Sequence, residues 1–249
     1  MRYDNPLRQK AWDRHSTYKV WTDSELTNSQ TVYRYVQWNK NARQMFEEKE
    51  LYFSAPHRWK DPFEKWWCQQ LFRAGSQLAD VDAYGLCTTR SWGDEPYWRL
   101  YDHSGTVPVI RLTTSVRRLS ETLGRFVADR QAKAYVGRVA YHNRVSLESE
   151  ADRLRLLGRD GELARHVAHA LMLKRSAFRF ENEHRAVIVE RGQSGDHRRV
   201  AFEPTELFTK VMLAPSMSKR DEEAIRSFLA RRGFTEDCVV RSSLYDRVC

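Results

Sequence analysis

HRAVIVE, from His184 to Glu190, is rich in β-branched residues and reads as a strand. Two further runs close behind it, Arg199 to Phe202 and Leu207 to Leu213, read the same way. Their nearness in sequence makes antiparallel neighbours the expectation. Upstream, Thr31 to Trp38 (TVYRYVQW), Glu50 to Ser54, Tyr84 to Thr89, Val107 to Thr113 and Ala134 to Tyr141 are strand-like, and Cys238 to Ser242 closes the series. Helices interrupt them irregularly. Asp61 caps a helix with Pro62 at its first position, and Phe63, Trp66, Trp67, Gln70, Leu71, Ala74 and Leu78 mark its apolar face. Val116, Leu119, Leu123, Phe126 and Val127 mark another. Leu147 to Leu157 and Glu162 to Leu173 are helical and broken at Gly158 and Gly161, and Lys219 to Arg232 is capped by Ser218 with Asp221 and stopped by Gly233. Strands and helices mix without regular alternation and without a Gly-rich strand-to-helix turn. That pattern predicts an α+β fold, with a mixed, largely antiparallel β core and flanking helices, rather than a doubly wound nucleotide fold.

The loop SWGDEPYWRLYDHSG, from Ser91 to Gly105, holds Trp92, Tyr97, Trp98 and Tyr101. A loop this aromatic either packs onto a groove or lines one. The chain has 249 residues, 41% apolar and 12% aromatic, enough for a single domain with its own core. Lys and Arg number 42 against 33 acids, and the net charge of +9 favours anionic partners, nucleic acid or nucleotides among them. No apolar stretch suits a secretory signal or a membrane span, and Cys68, Cys87, Cys238 and Cys249 are scattered without a Cys-x-x-Cys pair. A reduced, cytoplasmic protein without membrane attachment is expected.

Four stretches in order carry a family likeness: Tyr33-Arg34-Tyr35; Leu51-Tyr52-Phe53-Ser54 with Trp59-Lys60-Asp61-Pro62-Phe63-Glu64; Trp98 and Tyr101 before His103 and Gly105; and Lys174, Phe178, Glu181, Glu183 and Arg185. Together with Lys210 to Pro215 and Met217-Ser218, they resemble the bacterial family catalogued as domain of unknown function 2971, which includes proteins linked to abortive phage infection. The resemblance divides the chain into an N-terminal extension over 1–30, a family-like core over 31–234 and a C-terminal strand and tail over 235–249. Lys60 stands where that family has Asn, and Phe178 where it has Trp.

Glu181, Glu183 and Arg185 sit at i, i+2 and i+4, so an extended backbone puts all three on one side of a sheet. Two carboxylates crowded there raise at least one pKa unless a cation intervenes, and Arg185, Lys174 or Arg34 is the candidate. Spacing alone favours the plainer reading, a solvated strand face with an ion pair of little worth. The whole layout is nevertheless similar to that of ADP-ribosyltransferases, with an early strand-borne Arg, a central aromatic segment and a late Glu-x-Glu.

That likeness implies NAD as the bound dinucleotide, with no metal. It makes Glu183 the catalytic carboxylate, with Glu181 orienting or deprotonating the acceptor. Arg34 is then on the dinucleotide phosphate, Trp98 and Tyr101 line the nicotinamide pocket, and Tyr33, Lys174 and Arg185 complete the binding set. The Ser-Thr-Ser motif of such enzymes is missing, Cys87-Thr88-Thr89 being the nearest match.

The implied function is transfer onto a macromolecular acceptor, nucleic acid or protein, by a toxin or phage-defence effector. The alternative is a non-catalytic nucleic-acid- or partner-binding protein of a defence or toxin–antitoxin system, using a basic surface such as Arg90, Arg117, Arg118, Arg198, Arg199, Arg231 and Arg232. Glu162, His166 and His169 share a helical face at a spacing a divalent ion tolerates, but no fourth ligand is placed and no metal is expected. Plainer roles stand beside the others: Tyr33, Tyr35, Trp66 and Trp67 as core, Arg34 in a structural salt bridge, and Trp98 and Tyr101 as a packed lid.

Overall fold

The computed structural model describes residues 11–14, 19–72, 81–92, 95–102, 106–156, 163–192 and 195–246. Ala74, Leu78, His103, Gly105, Gly158, Gly161, Glu162 and Cys249 lie outside the described residues.

Strands β1 (Trp12–Arg14) and β2 (Val20–Asp23) pair antiparallel, and β3 (Thr31–Gln37) leads into α1 (Lys40–Glu48). Asn39 caps α1 by accepting from the Ala42 N–H at 3.1 Å. Lys49, at φ 54°, then turns the chain straight into β4 (Glu50–Ser54). Helix α2 (Pro62–Leu71) starts as its sequence requires, the Asp61 carboxylate accepting from the Phe63 N–H at 2.9 Å and Pro62 needing no partner for a missing N–H. β5 (Val81–Thr89), α3 (Glu95–Tyr101), β6 (Val109–Ser115), α4 (Val116–Val127), β7 (Lys133–Arg138) and β8 (Ala140–His142) follow. Then come α5 (Arg144–Leu156), α6 (Leu163–Ala170), β9 (Leu173–Arg175), a 3-10 turn over Ser176–Glu181, β10 (Glu183–Arg191), β11 (His197–Ala201), α7 (Pro204–Leu207), β12 (Lys210–Leu213), α8 (Lys219–Ala230) and β13 (Val239–Arg241). Ser218 caps α8 as expected, and Gly233, at φ 85°, follows its end.

The main sheet runs in the order β1-β2-β7-β10-β5-β3-β6-β12-β13, with β4 bridging β5 and β11 off this path. Its pairs are antiparallel except β2 with β7 and β12 with β13. This is the mixed α+β architecture with a mostly antiparallel sheet and flanking helices. The described residues before Thr31 supply β1 and β2 to one edge of the sheet.

One topological expectation is corrected. The strands that follow one another after Glu183 are not neighbours: β10 lies between β5 and β7, β11 pairs with β4, and β12 lies between β6 and β13. The cause is visible in HRAVIVE itself, which is apolar without alternation because both faces of β10 are buried. Ala186 and Ile188 join the cluster containing Phe46, Leu112 and Leu123, whereas Val187 and Val189 join the one containing Trp67, Val167 and Met172. A strand covered on both faces sits inside a sheet, and its neighbours come from distant sequence. Ala134 to Tyr141 is also two strands, β7 and β8, and β8 pairs in parallel with β9 in a small second sheet.

At Gly85 the missing side chain admits the Trp59 indole, for a Cβ there would stand 2.6 Å from Trp59 Cζ2. Trp59 is buried and stacks over the Arg185 guanidinium at 4.3 Å, so it has nowhere to go. Gly85→Ala therefore costs about 1–3 kcal/mol, read as a lower urea midpoint with an unchanged slope.

Candidate functional site

The sheet opens at one place. β3 meets β5 at the pair Tyr33–Thr89 and β4 meets β5 at the pair Ser54–Gly85; among the described residues no strand takes the β5 edge between them. Into this seam reaches Arg34, whose Nη1 donates to the Cys87 carbonyl at 2.8 Å in place of a strand partner. Its Nε is buried without a partner, and burial lowers the pKa of the guanidinium. A cavity of about 750 Å³ lies over the seam. Arg34, Tyr101 and Glu181 line it, and Lys60, His197 and Arg199 add three basic side chains. The amides of Gln37, Asn41 and Gln44 and the ring of Tyr52 complete the polar wall. Arg199 is engaged by Glu50 at 3.1 Å and Glu48 at 3.4 Å, and His197 packs beside Tyr52.

The aromatic stretch expected as a loop is partly the helix α3. Pro96 stands near its start, where its missing N–H is harmless, and Tyr97, Trp98 and Tyr101 all pack on Tyr35, with ring centroids 5.0–5.6 Å away. Tyr101 reaches the cavity from this stack. Trp98 does not: it is core, bordering a separate cavity of about 350 Å³ with Pro215 and Ser218. Tyr33 also looks elsewhere, its ring lying under the buried Arg111 at 4.5 Å.

Glu181, Glu183 and Arg185 do not share a strand face, because Glu181 ends the 3-10 turn. Asn182, in the left-handed region at φ 42°, makes the corner between Glu181 and β10, a conformation Asn tolerates better than most residues. The corner brings both carboxylates onto one ammonium: Lys174 Nζ donates to Glu181 at 2.7 Å and to Glu183 at 3.0 Å. Pairing of β8 with β9 sets Tyr141 opposite Lys174, and the Tyr141 hydroxyl accepts from the Glu183 N–H at 2.8 Å. Arg185 grips Glu183 with two donors, at 2.8 and 3.0 Å, gives Nη1 to the Leu171 carbonyl at 2.7 Å, and also meets Glu64. Phe178 lies 5.0 Å from the Lys174 ammonium and 5.1 Å from Arg175.

These pairings decide who is available for chemistry. Burial alone would raise the Glu183 carboxyl, but the Arg185 and Lys174 charges and the Cys87 thiol outweigh it and hold its pKa at about 2. Burial pushes the Cys87 thiol upward, so it stays protonated. Glu181 goes the other way: burial raises its pKa, and Lys174 opposes without cancelling. The charge count explains the asymmetry. Among the described residues, the ion pairs of Glu64, Glu181 and Glu183 are all made with Lys174 and Arg185, three carboxylates on two cations, and the one that is raised, Glu181, has a side chain 22% exposed, on the cavity side.

Of the residues singled out in sequence, the fold brings Arg34, Tyr101 and Glu181 to one cavity and sets Lys174, Glu183 and Arg185 behind them. Sequence reading missed Glu64, Trp59 and Tyr141 as members of the buried network and Tyr52, His197 and Arg199 as cavity wall. Trp59 and Glu64 stand in the stretch that carries the family likeness, which marks them without giving them a partner. His169 lies 3.5 Å from Glu150, both buried, and no group of three metal-ligating side chains occurs among the described residues. No described helix is long and apolar enough to cross a membrane. Compared with protein-family models, curated proteins and solved structures, the chain gives no match.

Proposed function

We propose that the seam cavity binds NAD and that Glu181 works at its ribose in an ADP-ribosyl transfer, in a fold of ADP-ribosyltransferase-like layout. One observation carries this reading: Arg34 and Glu181, far apart in sequence, line the same cavity. Its volume falls in the range of small-molecule sites. Arg34, Lys60 and His197 line it beside Arg199, which Glu48 and Glu50 already engage, and this basic lining suits an anionic ligand, while Tyr52 and Tyr101 offer ring edges or faces to a base.

The chemistry assigns the parts. The C–N bond between nicotinamide and ribose breaks with its electron pair leaving on nicotinamide, which departs neutral. Positive charge builds on the ribose, where the ionised Glu181 is stabilising. The acceptor's hydroxyl or amine forms the new bond to the anomeric carbon and passes its proton to Glu181. A carboxylate with an upward-shifted pKa is the better proton acceptor. Glu183 is then a positioning residue: saturated by Lys174 and Arg185, it fixes the ammonium that fixes Glu181.

A melting curve tests the binding step. NAD at a hundred times its dissociation constant adds about 2.7 kcal/mol to stability, read as a higher Tm. Arg34→Lys, which keeps the charge and loses the fork, requires more NAD for the same rise. If saturating NAD leaves the wild-type Tm unmoved, the reading is lost.

A further inference from the structure

We propose that the rim beside Glu181 is a docking surface for a single-stranded polynucleotide, which clamps bases on Trp92 and Phe180. Both rings are conspicuously open, Trp92 at 63% and Phe180 at 58% exposure. They stand on two chain segments laced together: the Thr89 hydroxyl donates to the Glu181 carbonyl at 2.7 Å, and the Arg90 N–H donates to the Asn182 carbonyl at 3.1 Å. Tyr97 on α3 ties in the same turn by donating its hydroxyl to the Phe180 carbonyl. Leu100, exposed on α3, joins this rim to the cavity wall. The two segments that bear the rings are therefore hydrogen-bonded to each other at the turn that carries Glu181.

Charge selects the occupant. Arg90 and Arg179 are exposed, each next to or two residues from one of these rings, and no side-chain ion pair engages either among the described residues. Behind Trp92 lies Arg111, 1% exposed, with its guanidinium 5.8 Å from the Trp92 ring and 4.5 Å from Tyr33, and with Nε and Nη1 lacking partners. By contrast Arg99, Arg144, Arg199 and Arg226 all hold acids. Exposed rings interleaved with cations that lack counter-acids fit a chain that alternates flat bases with phosphates, and the net charge of +9 acts in the same direction. A protein partner would have no use for unmet cations at each ring unless it were itself strongly acidic.

That the bound strand is the acceptor rests on the reading of the cavity above; the binding itself does not. The probe is a fluorescein-labelled mixed-sequence oligodeoxynucleotide, with its ribose counterpart in parallel, titrated without NAD and followed by anisotropy. Ring faces and phosphates are common to both sugars, so both bind, and binding weakens as salt rises. Trp92→Ala and Phe180→Ala each weaken it at least about fivefold, and both variants keep the NAD-induced rise in Tm. Glu181→Gln, which removes a negative charge beside the strand, binds the oligonucleotide at least as tightly as wild type. No binding at low salt, or binding by Trp92→Ala and Phe180→Ala as strong as by wild type, overturns the docking surface whatever NAD does. Binding of an acidic polypeptide such as polyglutamate with equal strength and the same loss in both variants overturns it too.

Discussion

Glu183→Ala unfolds roughly 6–20 °C below the wild type. The substitution strips Arg185 of two bonds and Lys174 of one, in a place where Arg185 is 1% and Lys174 7% exposed. Removing one partner of a buried ion pair costs about 3–5 kcal/mol, because the cations left behind cannot return to water. Against a total of about 5–15 kcal/mol that is a large fraction, and at about 2–4 °C per kcal/mol for a chain of this length it gives the stated fall. Glu183→Gln is milder. It keeps the shape and leaves Lys174 and Arg185 facing Glu64 and Glu181, a balanced set. A Glu183→Ala protein that melts within about 2 °C of wild type contradicts the network.

The same pairings set the acid limit. A carboxyl whose folded pKa lies below its unfolded one contributes stability that is complete above the unfolded value and lost as pH falls. For Glu183 the window runs from 4.5 down through about 2. Glu181 has the opposite sign, being raised, so protonation at mildly acid pH does not oppose folding through this group. Wild-type Tm therefore declines more steeply below pH 4.5 than that of Glu183→Gln, which lacks the titrating group.

How much of this was legible beforehand follows from which residues carry local signals. TVYRYVQW, ELYFS and HRAVIVE declare strands by their β-branched and aromatic content, and Asp61-Pro62 and Ser218 declare helix starts by capping chemistry. Those elements stand in the structure at nearly the residues read. Pairing was not legible, because β10 finds β5 and β7 through contacts about 100 and about 50 residues away, a matter of packing both faces rather than of adjacency. The 3-10 turn before Asn182 was missed for a related reason. Glu-x-Glu-x-Arg looks like one strand face until the left-handed corner at Asn182 breaks it, and Asn tolerates that conformation without demanding it. Helix α3 was misread through its Trp, Gly and Pro content, though Tyr97, Trp98 and Tyr101 already sat at helical spacing. For the site, Arg34 and Glu181 were visible as types; that they meet at an opening between β3 and β5 is a property of topology alone.

Glu181→Gln leaves the fold in place and removes the chemistry. Glutamine still bonds to Lys174 but carries no negative charge for a ribose cation and accepts no proton, and a general base of this kind accounts for about 10²–10⁴ in rate. Because the wild-type carboxyl is raised by burial, the acid limb of the pH–rate profile lies above the ordinary carboxylate value, with turnover increasing as pH rises through it. NAD binding persists in the variant, since glutamine keeps the shape of the wall at that position and Arg34 and the rest of the lining are untouched. Glu183→Gln retains more activity than Glu181→Gln, the reverse of the order that the likeness to ADP-ribosyltransferases implies.

The direct test of the central claim is the release of nicotinamide from NAD at neutral pH, followed over time for wild type, Glu181→Gln and Glu183→Gln at equal folded concentration. The account predicts steady release by wild type, partial release by Glu183→Gln and a fall of at least about a hundredfold for Glu181→Gln. Equal release by wild type and Glu181→Gln, or no release by wild type with and without an oligonucleotide acceptor, contradicts it.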